Sequence, residues 1–187
     1  WPSCRRPDRV GMRSLACVSH SDAFTGDGAV AQFRRAVGRF ATGVCVLSTR
    51  WRGVDQAMTV NAFTSVSLEP MLVLVCVEQD SRFHDAVVQA GDWGVSVLHA
   101  SARPVAAWLS TRGRPLHGQL DRVPHHRGEA TGVELAAQAV AWLECRTVQD
   151  VPAGDHTVLI GEVVSARTGN PEGGMLVYHR GRYERLG

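Results

Sequence analysis

The chain has 187 residues, 44% of them hydrophobic and 20% charged, with a formal net charge of +2. That length suits one domain with a substantial core, and the composition excludes intrinsic disorder and collagen-like structure. All twenty basic residues are arginine, which excludes a Walker A loop and Schiff-base catalysis, both of which need a lysine amine; a charge so near zero argues against nucleic-acid binding as the main task.

Residues 1–22 carry Arg5, Arg6, Arg9 and Arg13 without a continuous apolar stretch, and are expected to be a disordered tail rather than a secretory signal. The domain is expected to span 23–187. From Asp27 as cap, a helix is expected over 29–40, with Val30, Phe33, Val37 and Phe40 on one face. Strands follow over 43–49 and near 56–60. The apolar run 71–78 is expected to be a strand buried on both faces. Helices over 81–89 and 103–111, the latter with Pro104 in its first turn, flank a strand over 93–98. Residues 112–132, rich in Gly, Pro, His and Arg, read as a long loop. Strands over 139–149 and 156–167 form a hairpin whose connection, 151–155, is of the longer type. Short strands at 175–179 and 181–183 close the chain. Strands that follow one another directly, with few helices between, favour an antiparallel barrel over a doubly wound sheet.

Five cysteines lie far apart, and Cys45, Cys76 and Cys145 sit in apolar runs. Free thiols in a reducing cytoplasm are expected. No segment is long and apolar enough to be expected in a membrane.

Several segments are candidates for chemistry. Gly26-Asp27-Gly28-Ala29-Val30-Ala31 matches a dinucleotide fingerprint, but nothing before it reads as the required strand, so it is taken as a helix start. His117, Asp121, His125 and His126 share one loop without metal-site spacing, and no metal is expected; Arg112, Arg114, Arg122 and Arg127 in that loop are instead able to steer an anion such as a phosphate. The segment 58–70 is crowded with hydroxyls and an amide (Thr59, Asn61, Thr64, Ser65, Ser67) where a connection would carry turn residues. It offers donors along one edge, as a flat heterocycle with alternating carbonyls and ring nitrogens needs; the plainer alternative is an irregular edge strand whose hydroxyls satisfy themselves. Ser81 and Arg82 open a helix, a geometry suited to a phosphate. Gly154-Asp155-His156 presents an imidazole at a turn.

Taken in order, these segments resemble the flavin reductase-like family, the reductase components of two-component flavin monooxygenases. The resemblance runs from Phe33–Val44 through Thr59–Ser67 and Asp80-Ser81-Arg82 to Gly154-Asp155-His156, Ile160–Val163 and Tyr178–Tyr183. It implies a mainly β fold, an antiparallel Greek-key split β-barrel with short flanking helices. It also implies an NAD(P)H-dependent reductase of free FMN or FAD, with NADH favoured, that supplies reduced flavin to a separate oxygenase. Carried over by residue, Thr59, Asn61, Ser65, Val66 and Ser67 would hold the isoalloxazine and ribityl groups, and Ser81 and Arg82 the phosphate. His156 would lie near the nicotinamide, with Arg182 and Tyr183 closing the pocket. Ala62 stands where the family often has Ser, and Met71 where it often has Pro. The resemblance further implies a cytoplasmic homodimer. A non-enzymatic flavin-binding module and a pyridoxamine-phosphate-oxidase-type flavoenzyme are the alternatives on the same barrel.

Overall fold

The computed structural model describes residues 24–187; the tail expected over 1–22 lies outside them. Two compact units are separated, residues 1–36 and residues 37–187. Residues 24–36 are the described part of the first and hold helix α1 (Asp27–Val37) up to its last residue. Gly26, at φ 85°, starts it, its carbonyl accepting from the Ala29 and Val30 amides.

The second unit holds twelve strands and two helices. In chain order they are β1 (Thr42–Gly43), β2 (Cys45–Trp51), β3 (Val54–Val60), β4 (Phe63–Leu68), β5 (Met71–Glu78), α2 (Arg82–Ala90) and β6 (Asp92–Leu98). After a 3-10 turn at Ala100–Ala102 come α3 (Arg103–Ser110), β7 (His125–Arg127), β8 (Glu134–Ala136), β9 (Ala139–Ala153), β10 (His156–Thr168), β11 (Met175–His179) and β12 (Arg182–Leu186). Every strand pair is antiparallel. The main sheet has the order β3-β2-β6-β9-β10-β5-β4 and stays open between its edges, as a split barrel does. Those edges, β3 and β4, are consecutive in sequence and joined only by Asn61 and Ala62. Val60 and Phe63 therefore cannot lie farther apart than about 11 Å, and the sheet must curl to bring its ends together. The Ala62 carbonyl, accepting from the Cys76 amide at 3.0 Å, fastens the link to β5.

Two apolar clusters fill the unit. The inner one gathers Leu47, Val75, Val77, Trp93, Val95 and Leu159 inside the curl, with Phe83 and Val87 of α2 closing one end. The outer one packs Val105, Ala106 and Leu109 of α3 against Val44, Val46 and Ala57. Residues Cys45–Thr49 of β2 are consequently buried on both faces. The expectation that β5 would be the doubly buried strand is corrected: only Val73, Val75 and Val77 are buried, Met71 is exposed, and the alternate residues of β5 are only half-buried, so one face alone packs into the core. The β9–β10 connection is also tighter than expected. Ala153 pairs with His156, so the loop is Gly154-Asp155 alone, and Gly154 at φ 65° supplies the left-handed residue that two-residue hairpins require. The segment 58–70 contains an edge strand, β4, bulged between Ser65 and Ser67, with the Thr64 hydroxyl donating to the Ser65 carbonyl at 3.3 Å, as in the plainer reading of this segment.

The stretch 112–132 is not loop throughout as expected, since it contains strand β7 paired with β8; on β7, Arg127 bridges Asp55 and Glu134, and His126 stacks edge-on against Trp142 at 5.5 Å. The His125 Nδ1 bonds the Val123 carbonyl at 2.6 Å. These two histidines are thus engaged in packing and hydrogen bonding. The buried Glu144 carboxylate accepts from the Ala130 amide (3.0 Å), the Thr131 amide (2.7 Å) and the Thr131 hydroxyl (2.8 Å), pinning residues 130–131 to β9. Burial alone would raise its pKa, but the donors of Thr131, Ala130 and Ser165 together hold it below the usual carboxylate value. With the folded pKa below the unfolded one, the stabilisation is present above about pH 4.3 and is lost as pH falls through the lower folded value. Glu144→Gln is therefore expected to lower the melting temperature at neutral pH and to flatten the acid limb of a melting-temperature-against-pH curve.

Gly161 sits where a Cβ would come within 2.4 Å of the Trp93 ring. That indole is fully buried and donates to Thr147 Oγ1 at 3.0 Å, so it cannot swing aside without losing its partner. Gly161→Ala is expected to cost about 1–3 kcal/mol, read as a shifted denaturation midpoint.

Candidate active site

The curl places two adjoining cavities beside β3. The first, about 420 Å³, lies between β3, the end of β5, the start of α2 and the chain leaving α3. It is lined by Thr59, Glu78, Asp80, Ser81, Arg82 and the segment Leu109–Arg114, among others. The second, about 410 Å³, is lined by Val44, Thr59, Val60, Asn61, Ser110, Tyr178, Gly181 and Tyr183. Thr59 and Ser110 face both.

The first cavity is electropositive for a structural reason. Ser81 precedes α2 as its N-cap residue in extended conformation, yet its side chain makes no capping bond. Its Oγ is buried without a hydrogen-bond partner among the described residues, an unmet demand that a ligand oxygen would answer. Arg82, in the first turn, donates to the Arg114 carbonyl. The Arg114 side chain is held by the Ala57 carbonyl, the Thr111 carbonyl (2.9 Å) and Gln119 Oε1 (3.3 Å). Burial and, after it, the like charge of Arg82 push the Arg114 guanidinium below its ordinary pKa. A phosphate set here would relieve that repulsion and satisfy Ser81, so the residues present fit a phosphorylated ligand.

The second cavity is more aromatic. Tyr183 meets Tyr178 edge-on at 5.5 Å, and Asn61 Nδ2 donates to Thr42 Oγ1 at 3.2 Å, tying the end of β3 to the sheet β1-β11-β12. The Thr59 hydroxyl donates to the Ala106 carbonyl at 2.8 Å, leaving only its lone pairs for a ligand.

Ser65, Val66 and Ser67 line neither cavity. They lie on β4, whose outer edge has no strand partner among the described residues, and a bulge between Ser65 and Ser67 leaves Val66 out of register. One side of β4 is therefore an unpaired strand edge among the described residues. Ser67 Oγ accepts from the Glu69 amide at 3.2 Å, so it also holds the β4–β5 turn.

His156 is the first residue of β10. Its direct cross-strand partner on β5 is Glu78, so the two side chains project on the same face of the sheet, Glu78 at the rim of the first cavity. The Asp155 carboxylate contacts His156 Nδ1 at 2.7 Å, and hydrogen bonding and charge from His156 hold the Asp155 carboxyl below its usual range. Arg182 is exposed on β12, paired in register with His179 and outside both cavity linings.

Of the residues expected from the sequence, Thr59, Ser81 and Arg82 converge on the first cavity, and Thr59, Asn61 and Tyr183 on the second. Ser110, Gln119 and Tyr178 were not assigned from the sequence. The first two lie on α3 and the loop after it, and only the packing of α3 on β3 brings them in. Tyr178 had a signal, its place in the closing Tyr-His-Arg-Gly-Arg-Tyr stretch.

Residues 37–187 match the family model described as flavin reductase like domain. An NADH-dependent FAD reductase of Streptomyces globisporus is 41% identical over 156 residues, 83% of this chain and 85% of that protein. Among solved structures, the flavin reductase component of a bacterial two-component tryptophan halogenase superposes with a TM-score of 0.79 at 40% identity, covering 84% of this chain and 98% of the other. An NADH:FAD oxidoreductase from Streptomyces globisporus C-1027, solved with NAD and FAD fragments, gives 0.79 at 36% identity over 86% and 94%.

Proposed function

Because this chain belongs to the family of flavin reductase like domains, we infer that it is an NADH-dependent flavin reductase that reduces FMN or FAD and supplies the reduced flavin to a separate monooxygenase. The observation that carries the reading is the pairing of an electropositive cavity, holding the unsatisfied Ser81 hydroxyl and two crowded guanidiniums, with an aromatic cavity next to it. When bound, the flavin supplies the acceptor for a hydride from the nicotinamide; the protein's part is orientation and electrostatics. Ser81 and Arg82 take the phosphate, and Thr59 and Asn61 the ribityl side of the ring system. The free edge of β4 at Ser65, Val66 and Ser67, outside both cavity linings, would offer backbone and hydroxyl donors to the ring carbonyls, where negative charge accumulates on reduction.

Asp155, kept ionised, holds the His156 proton on Nδ1 and leaves Nε2 to meet the nicotinamide's amide. Tyr183 closes the pocket from β12. A homodimer is part of this reading. Val66, Leu68 and Met71 stand 48%, 85% and 56% exposed along β4 and its turn, and Val148 and Val151 are exposed on the β9–β10 hairpin; a second copy of the chain would cover them. No helix among the described residues is long and apolar enough to cross a membrane, and a reducing cytoplasm suits the free thiols of Cys45, Cys76 and Cys145.

Steady-state oxidation of NADH with riboflavin, FMN and FAD supplied in turn tests the function; an absence of NADH consumption with all three would leave only a flavin-binding module. His156→Ala is expected to slow flavin reduction in stopped flow by roughly ten- to a hundredfold, and an unchanged rate removes its role at the nicotinamide. Arg82→Ala is expected to raise the KM for FMN and FAD about tenfold more than that for riboflavin, and equal losses for all three remove the phosphate assignment.

A further inference from the structure

The electropositive cavity holds more guanidinium than Arg82 alone supplies. We propose that Arg112 and Arg114, from the chain leaving α3, complete with Ser81 and Arg82 a subsite for the phosphate ester of the flavin, with Arg112 as a direct contact and Arg114 as the residue that positions Arg82. The proposal rests on the flavin reductase reading and extends it to residues outside the α2 turn.

The charge inventory motivates it. Three guanidiniums and two carboxylates, Glu78 and Asp80, line the cavity. Glu78 is engaged by Arg112 at 2.8 and 3.1 Å. Among the described residues, neither Arg82 nor Arg114 has a carboxylate within ion-pair distance. Like charges placed side by side without a counter-ion are costly unless an anion joins them. Arg114 is fixed by three acceptors from three different segments, Ala57, Thr111 and Gln119, and its own carbonyl takes the Arg82 proton. The Arg114 side chain thus sets the height of the carbonyl on which Arg82 rests. Arg112 is different: its side chain is 85% exposed, and an exposed ion pair of that kind is weak. Its planar fork can leave Glu78 for a phosphate, which it would grip with two parallel bonds.

Two ligands could bring a phosphate here, the flavin and the nicotinamide dinucleotide. Steady-state kinetics on the full chain separate them, using riboflavin, FMN and FAD at saturating NADH, and then varied NADH with riboflavin as acceptor. Arg112→Ala is expected to lower kcat/KM for FMN relative to riboflavin about tenfold, through KM rather than kcat, with Arg112→Lys recovering part of the loss. Arg114→Ala is expected to lower the same ratio, and the Arg82→Ala/Arg114→Ala double variant to fall no further than Arg82→Ala, since both act through one group. Arg112 is exposed, so its variants test the proposal even if Arg114→Ala fails to fold. Equal losses with riboflavin and FMN in the Arg112 variants overturn the proposal. If Arg82→Ala still discriminates in that case, the phosphate assignment stands without these two residues; if it does not, both fall. A raised KM for NADH with riboflavin as acceptor would assign the arginines to the dinucleotide and overturn the proposal as well.

Discussion

Two residues, Asn61 and Ala62, govern the architecture. They join the first and last strands of a seven-stranded sheet that does not close on itself, so the sheet must bend until its ends nearly meet while remaining unpaired. Bending creates the inner core, since alternate residues of β2, β5, β6 and β10 then face one another across a narrow interior. Leaving the edges unpaired keeps β4 as a strand with free backbone donors. The same tether sets Thr59 and Asn61 at the end of one edge and Ser65–Ser67 on the other. Fold and candidate site therefore share one cause, a link too short to permit separation and an opening that pairing does not seal.

The second organising element is α3. Laid over β2 and β3, it buries the outer face of β2 and delivers the segment Leu109–Arg114 to the mouth of the first cavity. An apolar helix face and a cationic loop are thus consecutive parts of one chain segment: the packing of Val105, Ala106 and Leu109 fixes where Ser110, Arg112 and Arg114 stand. Stability and recognition are separable here. The helix residues could be repacked by others of similar volume, whereas in the proposed phosphate subsite the guanidiniums would have a directional task that lysine would perform differently.

Much of this was legible in the sequence because it is local. The apolar run at β5, the proline in the first turn of α3 and the Ser81–Arg82 helix start each carry their structure in a few neighbouring residues, and so does the family resemblance in Thr59–Ser67 and Gly154-Asp155-His156. What was not legible depends on which element lies over which. An alternating or continuous apolar run does not say whether a helix covers its outer face, so β5 was expected to be buried twice when β2 is. The edge strand β4 was read only as the plainer alternative for 58–70, because its polar residues lie on a free edge and lack the alternation of a half-buried strand. The tight Gly154-Asp155 turn was masked by Pro152, which reads as part of a loop but sits inside β9. Glu144 gave no signal at all; its role exists only because residues 130–131 fold back over it.

The crowded guanidiniums of Arg82 and Arg114 also bear on how ligands arrive. A chain of almost balanced charge that gathers uncompensated cations in one concave region focuses its field there rather than over its surface. Anionic nucleotides would be drawn to that opening from solution and neutral flavins would not. Because such attraction is screened over roughly 10 Å at 0.1 M ionic strength, the on-rate for phosphorylated flavins would fall as salt rises, while that for riboflavin would hardly change.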